Sequence, residues 1–541
     1  ARIARILVSV TLIGFLTVSC AKEEPVDKQT PTTQDPLQQA MILNPALSRS
    51  GALVVASDLV EGLFNPLNAN NEVEKWINSL VFDSLLTYDD MGNLETRLAE
   101  TYEISEDGLS IVLNLAKGVT FHDGSDLTAK DVAFTYNLAK TNLNLNASLD
   151  NLNEVVVLDD YSLEFKFDGR RLDQFNILTI PILSLESYGE VIDWNTFVKP
   201  VGTGMFRFET FVSGESIVLI RNVSYWGKNA NISGIIIRQM NPSEMMTAFS
   251  EGRIDLFKLP ASKAMVNDVK ALGFGNVLAG KSNIYTFLGL NMRAPIFAES
   301  EVRKALLFSL NRELLIINEW NGYADQIDYL ATGIGEFNKG TLGIKKYPYN
   351  MEIAETLLDE IGWIDSDGDG IRDREGENLS FAWLVFVDLD WSYRIAEQAS
   401  KNWRALGFDV KIEYMDFESM LKVLETEHSY DMWNMAYQIS EHLNPEVLFG
   451  KGESRGIYNF GGYDDIVANQ IFNALNETQT RYDSDELLTQ WHLLQTDELP
   501  YLPVARLRNL WAYNNRVKNL SLDFNGFWAK NLHLMEINVL Q

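Results

Sequence analysis

Apolar and polar positions recur along this chain with two periods, and the switch between them marks its elements. Ala52-Leu53-Val54-Val55-Ala56 is an unbroken apolar run of the length of a buried strand. Leu109 to Leu115 alternates with period two, and Phe121-His122-Asp123-Gly124 follows as a turn. A helix is predicted from Thr128 to Tyr136, with Thr128 as N-cap and Asp131 three places on, as in a capping box. Val155 to Phe167 reads as two alternating strands joined at Asp159-Asp160-Tyr161. Ser243 to Glu251 reads as a helix opened by Pro242 and ended by Gly252, with a strand over Ile254 to Leu259.

The pattern is clearest between Leu379 and Tyr437. Leu379–Val387 reads as a strand, Ser392–Leu406 as a helix with Gly407 at its C-cap, and Val410–Tyr414 as a strand. Phe417–Thr426 reads as a second helix and Tyr430–Tyr437 as a third strand. Strands alternating with helices predict an α/β protein with mostly parallel sheets under helical cover. In such sheets ligands sit beyond the carboxyl ends of strands. That makes Asp388, Asp390 and Trp391 candidate cleft residues after one strand, and Ser440, Glu441 and His442 after another. Trp391, Trp433 and Tyr437 are candidates to wall in a ligand. Core packing is the competing reading, because Trp433, Met435 and Tyr437 share one strand face. No internal repeat is present.

The N-terminus has a different character. Arg2 and Arg5 precede an uncharged run from Ile6 to Ser19, too short to span a bilayer but suited to a signal peptide. It ends Leu16-Thr17-Val18-Ser19-Cys20, which resembles the lipobox of bacterial lipoproteins. Cleavage there would remove residues 1–19 and leave Cys20 as the lipidated first residue, with several acyl chains giving a stable membrane anchor. Residues 20–50, rich in Pro, Gln, Thr and charge, read as a flexible tether.

Composition then excludes several classes. The chain has 541 residues, 46% of them hydrophobic, which supports a large core. One cysteine leaves no partner for an intramolecular disulfide and no multi-cysteine metal site. Forty-five basic against 75 acidic side chains give a formal charge of −30, a surface that repels nucleic-acid phosphate.

Several short stretches, in order, carry a resemblance. These are Glu106-Asp107-Gly108-Leu109, Phe121–Gly124, Thr128-Ala129-Lys130-Asp131-Val132, Pro200-Val201-Gly202-Thr203-Gly204, Arg221-Asn222 with Tyr225-Trp226, and Asn291 with Glu301–Leu306 and Asn311-Arg312. Together they resemble the family 5 extracellular solute-binding proteins of bacterial ABC importers, which include oligopeptide-, dipeptide- and nickel-binding proteins. Arg97 departs from the pattern, standing where that family prefers proline, and Ala116 stands where it has arginine. The resemblance implies a two-lobed periplasmic-binding-protein fold of the large three-domain type. Domain I would comprise residues 51–76, 197–282 and 503–541, domain II residues 77–196, and domain III residues 283–502. It implies a ligand, an oligopeptide first of all, held extended between lobes that close by hinge motion, and delivery to a membrane permease with ATPase subunits. The protein would be a monomer without a required cofactor, extracytoplasmic and held to a bacterial membrane by its lipid anchor. In peptide-binding members an aspartate four residues before a proline meets the ligand's α-amino group. That spacing lands on Glu441, before Pro445. A slip of one places Ser440 there, and a solvated loop glutamate is the competing reading. No arginine is convincingly placed for a peptide carboxylate, though Arg394 lies nearby. Oligosaccharide or nickel-complex binding are the alternatives within the family, and a secreted hydrolase is the alternative outside it.

The motifs themselves also have physical readings. Gly202 and Gly204 permit tight, positive-φ backbone, Gly124 suits a turn, and His122 reads as a hydrogen-bonded structural histidine. Asp365, Asp367, Asp369 and Asp373 form D-x-D-x-D-G-x-x-D and are candidate calcium ligands, although position twelve is Gly376 rather than glutamate. Gly452-Glu453-Ser454-Arg455-Gly456 matches the nucleophile-elbow pattern but lacks the strand before and helix after that such an elbow needs. No catalytic residue is expected.

Overall fold

A computed structural model describes residues 44–540 apart from 90–93, 143–144, 146–148, 172–173, 190–195, 332–342, 428, 439–444, 452–457, 479–480 and 524–525. Cys20, Ser440, Glu441, His442 and the Gly452–Gly456 motif lie outside the described residues. No helix among those described is long and apolar enough to cross a membrane.

Two long strands organise the molecule. Gly275–Leu290 and Tyr501–Asn514 pair antiparallel along nearly their whole length. The ladder breaks between Lys281 and Tyr285, where the register shifts. Arg506 Nε donates to the Ser282 carbonyl there at 2.6 Å, and Ser282 Oγ donates to the Leu507 carbonyl at 2.9 Å. On one side of this bulge the pair is flanked by Leu256–Leu259, Ala52–Ser57, Gly234–Gln239, Ser216–Arg221 and Phe206–Val212. On the other side it is flanked by Met432–Gln438, Ser380–Phe386 and Asp409–Met415.

The buried side chains divide at the same place. Leu53, Val55, Ile235 and Trp511 pack on one face of the first half-sheet, and Val54, Phe257 and Leu510 on the other. In the second half, Trp383 and Val385 point into one cluster, while Leu384, Phe386 and Trp433 point into another. This is period-two alternation with both faces covered, the condition under which strands read as apolar runs. Two lobes therefore have separate cores, joined by two continuous strands.

The sheet is less parallel than its local pattern suggests. Ser380–Phe386, Asp409–Met415 and Met432–Gln438 are parallel as predicted, with helices Asp390–Ala405 and Phe417–Thr426 between them. Ala52–Ser57 is likewise parallel to both its neighbours. The other ladders among the described residues, including both crossing strands, are antiparallel. The expectation of mostly parallel sheets is corrected. Strand direction is set by which distant segments meet, and local alternation does not report that.

A four-stranded antiparallel sheet, built from Ala99–Ile104, Ser110–Leu115, Ser162–Phe167 and Leu152–Asp159, sits on the first lobe. The helix Ala129–Lys140 accompanies it and carries the predicted capping box. Its junction with the lobe is built from the motif residues. Asp83, 4% exposed, accepts hydrogen bonds from Arg97 Nε and Nη2 (2.9 and 2.7 Å), Trp226 Nε1 (2.9 Å), Thr203 Oγ1 (3.1 Å) and the Tyr225 hydroxyl (3.3 Å). His122 bridges the same turn, its Nε2 donating to the Gly204 carbonyl at 2.9 Å while Nδ1 faces the Gly202 N–H. Those two bonds require the neutral Nε2–H tautomer, and burial pulls the ring's pKa below its ordinary value. Neither Gly202 nor Gly204 has positive φ. Their need is closeness, since a Cβ on either would overlap the Val81 carbonyl group. Gly124 is left-handed, as expected.

The first described residues, from Asn44 on, meet Asn514 and Arg516 at the far end of the first lobe. Arg516 is fully buried and donates to the carbonyls of Ala46, Arg49, Ser50 and Ala52, and to Asp255. Asn44 and Asn514 exchange side-chain hydrogen bonds at 2.7 and 3.0 Å.

Candidate functional site

Strand direction locates the site. Along Tyr501–Asn514, low numbers lie in the second lobe and high numbers in the first. Leu256–Leu259 runs antiparallel to it, so its carboxyl end points to the seam between the lobes. Ala52–Ser57 and Gly234–Gln239 share that direction through their parallel ladders, and Phe206–Val212 regains it after two antiparallel steps. In the second lobe Met432–Gln438 places Gln438 opposite Ile284, beside the bulge, and Ser380–Phe386 and Asp409–Met415 run parallel to it. The carboxyl ends of strands from both lobes therefore face one seam, where α/β sheets bind ligands.

The floor of the seam is the bulge. The Tyr285 ring lies 5.3 Å under the Arg506 guanidinium, and burial raises its phenol pKa. Asn321 Nδ2 donates across the seam to the Ala261 carbonyl at 2.5 Å. Farther out, Arg170 Nη1 donates to the Glu477 carbonyl at 3.3 Å.

The second lobe's bank holds most of the residues expected from sequence. Trp391 is half-buried, its ring edge-on to Phe386 at 5.2 Å and 6.4 Å from Trp320. Tyr437 is half-buried 6.0 Å from Tyr458, and burial keeps its phenol protonated well above the ordinary range. Asp390 is exposed and sits 3.4 Å from Arg394, which also reaches Glu319 at 3.6 Å. Arg394 is thus already between two carboxylates. Burial raises the Glu319 pKa, Arg394 opposes that, and Asp390 reinforces it. Asp388 accepts the Phe417 N–H at 2.6 Å, tying the strand end to the next helix.

Trp433 is placed otherwise. It is 1% exposed, its ring packed against Tyr430 and Tyr501 and over Gly289. It faces the same core as Tyr437 but deeper along the strand, so it supports the wall rather than forming its surface.

The first lobe's bank was not anticipated. Loop residues Asp58 to Leu63 follow the strand Ala52–Ser57, and Val212 ends another strand pointing to the seam. Applying the carboxyl-end rule to the Ala52–Ala56 run would have found this loop.

The acidic turn lies elsewhere. It precedes Ser380 and packs on Gly407, at the amino ends of the second-lobe strands and away from the seam. Carboxylate oxygens of Asp365, Asp367 and Asp373 come within 4.8 Å of one another. Asp369 is outside that group and accepts the Ile371 N–H at 2.7 Å. Asp365 accepts the N–H groups of Gly368 and Gly370, and Asp373 accepts the N–H and the hydroxyl of Ser366, so the turn also closes on its own hydrogen bonds.

Two lobes with separate cores, joined by crossing strands and presenting strand ends to one seam, define a two-lobed solute-binding protein. The chain belongs to the bacterial extracellular solute-binding proteins, family 5, whose middle-region profile matches residues 93–456. It is 26% identical over 511 residues to the oligopeptide-binding protein AppA of Bacillus subtilis, covering 89% of this chain and 92% of that one. The structure of B. subtilis AppA in complex with a nonapeptide superposes with a TM-score of 0.66 at 22% identity, over 91% of this chain and 99% of that one. A nickel ABC transporter structure from Bacillus halodurans gives 0.77 at 18% identity, over 90% and 99%. These two structures share the fold.

Proposed function

We propose that this protein captures an oligopeptide in the seam between its lobes and delivers it to a membrane permease powered by ATPase subunits. The observation that carries this reading is the convergence of strand ends from both lobes on the seam of a family 5 solute-binding protein. Its relative AppA is an oligopeptide-binding protein. An extended peptide offers a backbone amide and carbonyl at every residue, so a seam lined by strand ends can hold it independently of sequence. Asp388, Asp390, Trp391 and Tyr437 form one wall in this reading. Glu441 or Ser440, which follow Gln438 in the sequence, would meet the ligand's α-amino group. No bond is made or broken. The three-domain division given above, the lipid anchor at Cys20, the extracytoplasmic location and the monomeric state belong to the same proposal.

Nickel complexes fit less well. Among the described residues His122 holds the Gly202–Gly204 turn, His492 is in a core and His533 lies near the C-terminus, which leaves His442 as the single candidate cleft histidine from the sequence. The test is mass spectrometry of ligands co-purifying with the native protein, with thermal shift against a peptide pool. Unmodified peptides and a raised Tm are expected. Cleaved products would instead indicate a hydrolase, and an empty protein with no shift overturns the reading.

A calcium ion at Asp365, Asp367 and Asp373 would be structural, remote from the seam. It would relieve the repulsion of three clustered carboxylates, so millimolar calcium is expected to raise Tm, and Asp373→Asn to remove the rise. A Tm indifferent to calcium overturns this assignment.

A further inference from the structure

Arg506 stands half-buried at the floor of the seam and forms no ion pair among the described residues. The acids near it are committed elsewhere. Asp325 lies opposite it in the ladder with Ala324–Gln326, but accepts from Arg508 Nε at 3.1 Å. Asp328 accepts from Arg312 at 3.2 Å. On the wall, Arg394 already lies between Asp390 and Glu319. A half-buried guanidinium without a counter-ion is costly to a fold, and in a chain with 75 acidic side chains a carboxylate is not scarce.

Strand register puts this charge beside the wall. Tyr437, Tyr285 and Arg506 are directly opposite one another on three neighbouring strands. Directly opposite residues share a sheet face, so the three side chains form one row. Tyr437 begins that row on the wall, one residue before its strand ends at Gln438. At the other end, Arg506 Nε is taken by the Ser282 carbonyl at 2.6 Å, which fixes the plane of the guanidinium. Nη2 comes only to 3.5 Å from Asn283 Oδ1. Neither Nη1 nor the Tyr285 hydroxyl has a hydrogen-bond partner among the described residues, and neither atom is sealed from solvent. Burial raises the phenol pKa of Tyr285, and that of Tyr329 to about 12, with the Arg506 charge opposing both rises. Both phenols therefore stay neutral at pH 7 and supply no counter-charge.

We infer that the Nη edge of Arg506 receives a carboxylate of the captured ligand, with the Tyr285 hydroxyl as a second donor. The inference rests on the peptide reading above and adds charge selection to it. A guanidinium whose plane is already fixed gives a carboxylate short, charge-assisted hydrogen bonds and loses little freedom in doing so. In a peptide that carboxylate is the C-terminus or an Asp or Glu side chain. The corresponding amide has the same shape and no charge, so it leaves the guanidinium unneutralised.

The experiment measures Kd calorimetrically for the full chain. Five-residue alanine peptides are compared as free acid and as C-terminal amide, and amidated peptides are compared with an Asp or Asn guest at each position in turn. In at least one comparison the carboxylate is expected to bind at least tenfold tighter than its amide, equivalent to about 1.4 kcal/mol. Which comparison does so tells the terminus from a side chain. In Arg506→Gln, which keeps a donor for the Ser282 carbonyl, that ratio should fall below threefold, whereas Arg506→Lys keeps the charge and should retain a preference above it. An arginine that only pins the bulge would weaken acid and amide alike and leave the ratio unchanged. Tyr285→Phe removes only a hydroxyl and should lower the ratio independently, so the outcome does not hang on one variant folding. Equal Kd for acid and amide in every comparison, or a preference unchanged in both Arg506→Gln and Tyr285→Phe, overturns the assignment and leaves peptide capture standing. If no peptide binds in either form, peptide capture itself fails and the assignment with it.

Discussion

Asp83→Ala is expected to destabilise the protein by about 3–5 kcal/mol, among the largest effects a single substitution can have here. Removing the carboxylate leaves the Arg97 guanidinium without its counter-ion and the Trp226 indole N–H, Thr203 hydroxyl and Tyr225 hydroxyl without their shared acceptor. The cost falls on the donors around a carboxylate side chain that is itself 2% exposed, because no water replaces their lost acceptor, while the Arg97 side chain, 38% exposed, is partly rehydrated. The affected contacts join the four-stranded sheet to the first lobe. The urea midpoint of the first unfolding transition should therefore fall, with protease sensitivity rising between residues 84 and 200. An Asp83→Ala protein within 1 kcal/mol of wild type would show that Arg97 finds solvent instead. The four donors come from the stretches that carried the family resemblance and from Arg97, a departure from it. Much of what makes this chain recognisable is thus the assembly of one junction.

Acid is the second large lever. His492 is 2% exposed, its ring tilted against Tyr329 at 4.4 Å, and burial pushes its pKa down to about 3. The unfolded chain protonates this residue near pH 6.5, the folded chain only near pH 3. Between those values the unfolded state binds more protons, so stability falls as pH falls. From pH 6.5 to 4 this residue alone accounts for a loss on the order of 3 kcal/mol. His122, also depressed by burial, acts in the same direction. His492→Phe keeps a ring against Tyr329 and has nothing to protonate. Denaturation midpoints of the two proteins should diverge between pH 7 and pH 4, wild type falling further. Parallel pH profiles would overturn the assignment.

What could be read from sequence was what is local. The segment Ser380–Gln438 shows its strands and helices because caps, glycines and alternation lie within a few residues of one another. Trp433 and Tyr437 were correctly placed on one face, but period two says nothing about depth, and burial lessens along that strand toward the seam. The crossing strands escaped because their ladder joins residues more than 200 positions apart and because Gly280, Lys281 and Gly289 interrupt any simple apolar period. Asp83 escaped for another reason. A carboxylate that organises buried N–H groups has the same letter as one on the surface, and only the fold distinguishes them. The candidate site was half legible: the second lobe's bank came from strand ends in a clear α/β run, while the first lobe's bank depends on which way its strands face.

The Arg516 clamp has a mechanical consequence. It grips residues 46–52 at the pole of the first lobe opposite the seam, beside the carboxyl end of the second crossing strand. If Cys20 is the membrane attachment, the leash from there to Asn44 has a contour length of roughly 80 Å. Force reaching Asn44 enters the first lobe at this clamp, because the described residues from Asn44 to Ala52 bond to Asn514, Arg516 and Asp255, all on the first lobe's side of the bulge at Ser282. Opening and closing would then proceed without tension from the membrane, leaving the second lobe free to swing.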